Sequence, residues 1–272
     1  MLDRLRQNFE VISRLRGFME LDAYLLLAEV RALAAPSPAP VLEVGVFCGR
    51  SLAALATLWP DQRTIGVDPF FPEFAGTPAF DDEAAILAAK AGATTPEQRI
   101  AAITAVLADL DRVNGTSLAR NVELVRDTEE AFLLRNTERF QLIHVDAEHT
   151  YAAVQRSLDH LTRTLLPGGF LVVDDFLHQG FPDISEAVHT HALFRAGLWP
   201  IAYGGNKGVF VLGDEVVAKA YHAALARRFT QLGAAVRLMH DGAPAIDMLP
   251  LFPPVKRRKT LGRRLARLFG PG

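Results

Sequence analysis

Three aspartates stand at the ends of two apolar runs. Asp146 follows Leu142-Ile143-His144-Val145, and the pair Asp174-Asp175 follows Leu171-Val172-Val173. If both runs are parallel strands, their carboxyl ends lie side by side on the face where open α/β sheets bind ligands. Carboxylates converging there repel one another and require a cation, protons or basic side chains. Oxygen-only donors suit a hard divalent ion, so Mg²⁺ is the expected ion and Asp146, Asp174 and Asp175 its expected ligands. Such an ion acidifies a bound hydroxyl and prepares an alkoxide nucleophile. The plainer alternative makes Asp174 a turn residue and Asp175 a helix cap. Glu148 and His149, in the loop after Asp146, are the candidate proton acceptors. Otherwise His149 positions its loop by hydrogen bonding, and His144, inside the run, reads as structural.

A second constellation lies upstream in Val41-Leu42-Glu43-Val44-Gly45-Val46-Phe47-Cys48-Gly49-Arg50-Ser51. An apolar run enters a glycine turn, and a helix is expected from about Ser51. Gly45 and Gly49 allow tight curvature and close approach by a ligand, and the amides of a helix start favour electron-rich groups. The spacing differs from the dinucleotide fingerprint G-x-G-x-x-G, and no Gly-Lys-Ser/Thr follows for a phosphate loop. Glu43 suits a cationic ligand. About 20 residues further on, Thr64-Ile65-Gly66-Val67-Asp68 ends in an acid placed to hold a ribose diol; Asp68 could equally cap the turn before Pro69. Asp127, after Val122-Glu123-Leu124-Val125-Arg126, faces an adenine amine or caps the next helix.

These residues need a scaffold that brings strand ends together. Short apolar runs at 41–45, 64–68, 122–126, 141–146, 170–174, 198–203 and 208–212 alternate with helical patterns at 51–58, 129–134, 151–165, 184–195 and 215–231. This alternation predicts a doubly wound, mostly parallel seven-stranded α/β sheet covered on both faces. Gly204-Gly205-Asn206-Lys207 is too short for a helical crossover and forces one antiparallel strand. Residues 1–35 read as an N-terminal helical cap broken near Gly17, 36–232 as the main domain, and 233–272 as an extension with a basic tail. A long insertion at 70–120 carries helical patterns at 82–91 and 96–110 and sits where a lid or substrate wall is built.

The 272 residues carry a formal net charge of −2, which argues against a general nucleic-acid binder. The lone Cys48 excludes an intrachain disulfide and a cysteine zinc site, and suits a reducing cytoplasm. No apolar run approaches the roughly 20 residues that span a bilayer. The cluster Lys256, Arg257, Arg258, Lys259, Arg263, Arg264 and Arg267 is either a solvated end or a weak peripheral membrane contact.

Taken in order, these motifs resemble the class I S-adenosylmethionine-dependent methyltransferases, and within them the macrocin-type and other sugar O-methyltransferases. The resemblance runs from Gly17-Phe18-Met19 through Glu43-x-Gly45-x-x-x-Gly49-x-Ser51, Asp68, Asp127, the 146–149 loop and Pro167-Gly168-Gly169 to Asp174-Asp175. It implies a Rossmann-like fold with S-adenosyl-L-methionine lined by Glu43, Gly45, Gly49, Ser51, Asp68, Asp127 and Asp146. It also implies Mg²⁺ on Asp146, Asp174 and Asp175, and Glu148 as general base. The implied reaction is O-methylation of a sugar or other small hydroxylated acceptor. The alternatives are a metal-independent enzyme with His149 as base, and a non-catalytic cofactor-binding scaffold. A homo-oligomer is compatible with this reading. The chain departs from the family in Ala147, where many members have glycine, and in the length of the insertion.

Overall fold

The computed structural model describes residues 2–70, 95–191, 197–248 and 251. Its helices, in chain order, are α1 (Leu2–Ile12), α2 (Leu21–Leu33), α3 (Arg50–Leu58), α4 (Pro96–Asn114), α5 (Leu118–Asn121), α6 (Glu129–Arg135), α7 (Tyr151–Thr164), α8 (Pro182–Thr190) and α9 (Glu215–Leu232). The strands are β1 (Val41–Val44), β2 (Thr64–Asp68), β3 (Val122–Arg126), β4 (Phe140–Val145), β5 (Leu165–Asp174), β6 (Leu198–Gly204), β7 (Lys207–Leu212), β8 (Ala235–Leu238) and β9 (Pro244–Asp247).

Every residue of β1, β2 and β4 is buried, as expected of central parallel strands with helices on both faces. The sheet order is β3-β2-β1-β4-β5-β7-β6-β9-β8. Between β1 and β4 the winding reverses, which opens a crevice at their carboxyl ends. One apolar core, including Leu25, Leu52, Ile103 and Phe229, fills the face covered by α2, α3, α4 and α9. A second, including Phe132, Leu158 and Ile184, lies under α6, α7 and α8.

The sheet has nine strands among the described residues, not seven. The two additional ones, β8 and β9, lie in the segment expected to be a mere extension. Each is four residues long, too short for an alternating pattern to register. They are held by parallel pairing of Tyr203 with Ala245 and Gly204 with Ile246, and by an antiparallel β8–β9 hairpin. Strand β7 is antiparallel to β5 and β6, as the four-residue link requires. Strand β5 starts at Leu165, upstream of the expected position; a register shift between Phe140 and Leu142 accommodates the Pro167-Gly168-Gly169 segment.

The second insertion helix, α4, starts in a capping box between Thr95 and Gln98, with Pro96 in its first turn. The expected helix at 82–91 and the basic tail lie outside the described residues. The link between α1 and α2 is tied to the start of α3 by Arg50, whose Nε donates to Leu15 O at 2.9 Å and whose Nη1 donates to Met19 O at 3.3 Å. Among the described residues, no helix is long and apolar enough to cross a membrane.

Candidate active site

The glycine turn is built against the partner strand. Gly45 has φ +88°, and a Cβ placed on it would lie 1.7 Å from the carbonyl oxygen of Asp146. The Asp146 amide in turn donates to Val44 O at 2.9 Å, extending the β1–β4 ladder past the strand ends. Gly49, at φ +84°, meets Ile103 of α4: its Cβ would come within 2.4 Å of Cγ1. At both positions the missing side chain makes room for the protein's own packing. Gly49 is also the N-cap of α3, and among the described residues no side chain caps that helix. Its first-turn amides, including that of the buried Ser51, are therefore available to an acceptor from outside the helix.

Asp68 is turned inward onto the same loop. Its Oδ2 accepts from the amides of Val46 at 2.9 Å and Phe47 at 2.8 Å, and its Oδ1 accepts from Phe70 N. Burial nonetheless pushes its pKa up, against the lowering effect of these amides and of Arg99. A carboxylate has about four acceptor positions. Three are occupied, so a two-bond clamp on a ribose diol would displace a backbone amide. Asp127 accepts from Thr128 N at 2.8 Å and from Arg135, which holds its carboxyl below the usual range. The cap of α6 is Thr128, not Asp127.

Below the rim, Glu43 and His144 are register partners on β1 and β4. Glu43 Oε1 and His144 Nδ1 are 2.8 Å apart, and both side chains are fully buried. Glu43 Oε2 and His144 Nε2 have no hydrogen-bond partner among the described residues.

The acids divide into two groups. Asp174 is the register partner of Lys207 across the antiparallel β5–β7 pair, and Lys207 Nζ donates to Asp174 Oδ1 at 2.6 Å. The Lys207 side chain is 1% exposed. Burial alone would raise the Asp174 pKa, but the Lys207 ammonium, with a smaller effect from His144, holds it well below the usual carboxylate range. Burial and the Asp174 charge push the neighbouring Asp146 up to about 6. Possible ligand atoms of His144, Asp146 and Asp174 all lie within 4.8 Å of one another.

Asp175 belongs to the other group. Its backbone is left-handed at φ +51°, and its carboxylate accepts from Asn206 Nδ2. His149 stands between the groups: Nε2 is 3.7 Å from Asp146 Oδ1 and 3.9 Å from Asp175 Oδ2, and the ring packs 4.4 Å from that of Phe181. The expected trio is thus split, with His144 joining Asp146 and Asp174 while Asp175 faces His149. Glu148 points elsewhere. It is 53% exposed, accepts from Thr150 Oγ1 at 3.0 Å and lies 3.9 Å from Arg156.

Residues 42–176 match the model of a family described as a methyltransferase domain. This segment is a methyltransferase domain. No curated protein matches it. Among solved structures, the chain is similar to the apo form of CalS11, a TDP-rhamnose 3'-O-methyltransferase of calicheamicin biosynthesis (19% identity over 70% of this chain and 77% of that one, TM-score 0.48). It is also similar to the O-methyltransferase NovP (15% identity, 78% and 80% coverage, TM-score 0.48). A third is TomG of Streptomyces achromogenes in complex with S-adenosylmethionine (18% identity, 70% and 79% coverage, TM-score 0.41).

Beside the acids, the methyltransferase carries a cleft of about 530 Å³, lined by Leu177, Tyr203, Asn206, Lys207, Arg237 and Ile246, among others. Its walls include the β6–β7 turn and the β8–β9 hairpin. Asn206 and Lys207 are the site residues that sequence reading missed. No local signal marked them: the tight turn pairs Lys207 with Gly204 of β6, and only the β5–β7 register sets Lys207 opposite Asp174.

Proposed function

We propose that this methyltransferase transfers the methyl group to a hydroxyl oxygen of a small acceptor, sugar-like in carrying several hydroxyls, with His149 taking the proton. The observation that carries this reading is the position of His149 at the carboxyl rim between Asp146 and Asp175, a few residues beyond the strand end that abuts the glycine turn. The sugar-like acceptor rests on the motif resemblance of the 146–149 and 174–175 segments, and the neighbouring cleft offers it room.

The cofactor fits this site. The uncapped start of α3 offers amides to its carboxylate, and Glu43 brings a buried, unpartnered oxygen beneath the turn. In this reading Asp68 fixes the turn from inside, and Asp127 bounds the adenine end. When bound, S-adenosylmethionine supplies an electrophilic methyl carbon on its sulfonium. The chain's part would be to hold the acceptor oxygen toward that carbon and to accept its hydroxyl proton on His149. The carboxylates of Asp146 and Asp175 stabilise the resulting imidazolium.

A divalent metal does not fit the same residues. The compact donor set contains an imidazole, unlike the oxygen-only set that Mg²⁺ favours. The Lys207 ammonium already sits on Asp174. A doubly charged ion about 4 Å from that ammonium would be repelled by roughly 8 kcal/mol at an effective dielectric of about 20. Proton transfer is therefore assigned to His149 without a metal-bound nucleophile.

Labelled S-adenosylmethionine incubated with the protein and a panel of sugar and catechol acceptors tests the reaction. We expect label on an acceptor oxygen, with equal turnover in EDTA and in Mg²⁺. Transfer to nitrogen, or turnover abolished by EDTA and restored by Mg²⁺, would sink the reading.

Asp146 sets a pH limb. Its carboxyl is raised to about 6, so it gains a proton as pH falls through that value and its stabilising charge beside His149 is lost. Turnover is expected to fall below about pH 6, and Asp146→Asn is expected to be slow and to lose the part of that fall that Asp146 contributes. Stability moves the other way. The folded state holds this proton more tightly than the unfolded chain, so the Asp146 contribution favours folding below about pH 4 and is lost as pH rises through about 6. An acid limb unchanged in Asp146→Asn would remove this assignment.

A further inference from the structure

We propose that Lys207 is a built-in cation of this site, its ammonium doing among Asp146, Asp174 and His144 the charge work of a divalent ion. The sheet itself fixes it there. Lys207 is the first residue of β7 and the register partner of Asp174, the last residue of β5, so its Cα position is set by the antiparallel ladder rather than by a mobile loop. Its side chain is 1% exposed and its Nζ is 2.6 Å from Asp174 Oδ1.

An isolated ammonium is not stably buried. This one is retained because the carboxylates of Asp174 and Asp146, and Glu43 more weakly, favour its charge over the penalty of burial. Conversely, two buried carboxylates and an imidazole within 4.8 Å need a positive charge. Lys207 supplies one, held on Asp174 by the sheet register.

An ammonium has three N–H donors, and one is committed to Asp174. The remaining donors are suited to an acceptor oxygen that gains negative charge as it loses its proton. This catalytic consequence rests on the methyl-transfer reading; the charge substitution does not. Removing the ammonium leaves an acidic pair beside the unpartnered His144 Nε2, which is a donor set suited to Mn²⁺ or another transition ion.

The test uses the full chain and Mn²⁺ alone, read by electron paramagnetic resonance and calorimetry without any turnover. The wild type is expected to leave millimolar Mn²⁺ free, and Lys207→Gln to bind it at least tenfold more tightly, an affinity lost again on adding Asp174→Asn. Wild-type Mn²⁺ binding that Asp174→Asn abolishes overturns the proposal, as does a folded Lys207→Gln that gains no affinity. If Lys207→Gln does not fold, the Nζ resonance of the wild type, assigned by its loss in Lys207→Arg, decides. A protected ammonium signal unbroadened by Mn²⁺ upholds the proposal; a broadened or absent one ends it. Since none of these readouts requires methyl transfer, the proposal can fail while the proposed reaction stands.

Discussion

His149→Ala is expected to lower kcat by about 10²- to 10⁴-fold, the range that a positioned general base contributes, while affinity for S-adenosylhomocysteine stays near that of the wild type. The split follows from where the ring sits. It faces Asp146 and Asp175, which the proposed reaction assigns to the acceptor, whereas the cofactor is assigned to the α3 amides. The motif resemblance favours Glu148 instead, and the two assignments diverge in one comparison. Glu148 is half exposed and engaged with Thr150 and Arg156, so Glu148→Gln should retain most of the activity. The imidazole also packs on Phe181, so part of any loss in His149→Ala could be structural. His149→Gln separates these effects: it keeps a polar side chain of similar reach but accepts no proton at neutral pH, and should be as slow as alanine with a melting temperature close to the wild type. Should Glu148→Gln fall by the larger factor while His149→Gln keeps its turnover, the proton goes to Glu148.

The parts of this site that could be read from the chain are those carried by strand ends. Val41–Val44 and Phe140–Val145 are short, mostly apolar runs that read as central strands, and a glycine after one and an aspartate after the other placed the crevice between them. Side-chain direction was harder to read. The spacing gave Asp68 a position near a ribose, but whether its carboxylate points outward or onto the Val46 and Phe47 amides depends on the shape of a loop in which Phe47 itself has positive φ. The Asp174-Asp175 pair read as two ligands of one ion. Consecutive strand residues project to opposite faces, and Asp175 leaves the strand in a left-handed turn, so the two carboxylates take different partners. Lys207 was hidden for a different reason. Its function arises from pairing with a residue 33 positions earlier, and only the register of β5 with β7 makes that contact visible. The β8–β9 hairpin similarly owes its existence to the free edge of β6, which no local pattern in either short segment reveals.

Gly45→Ala should be among the most damaging single-atom additions to this sheet. Two costs add. A left-handed residue other than glycine costs about 1–2 kcal/mol, and Gly45 has φ +88°. The new methyl would also fall 1.7 Å from the Asp146 carbonyl oxygen, a backbone atom anchored by the bond from Asp146 N to Val44 O. A side chain could rotate away, but this carbonyl can retreat only by parting β1 from β4 where Glu43, His144 and Asp146 converge. Together these should exceed about 3 kcal/mol, and at roughly 2–4 °C per kcal/mol for a chain of this size the melting temperature should drop by about 10 °C. Gly168→Ala is the control. That glycine also has positive φ, +75°, but its Cβ would meet nothing within 4 Å, so only the conformational cost of about 1–2 kcal/mol applies. Gly45→Ala should lose S-adenosylhomocysteine affinity at least tenfold even where it remains folded, because the turn and the acid loop move together; Gly168→Ala, at the opposite end of β5, should keep it. If both variants melt alike and bind alike, the close contact between the glycine turn and Asp146 does not hold the site together.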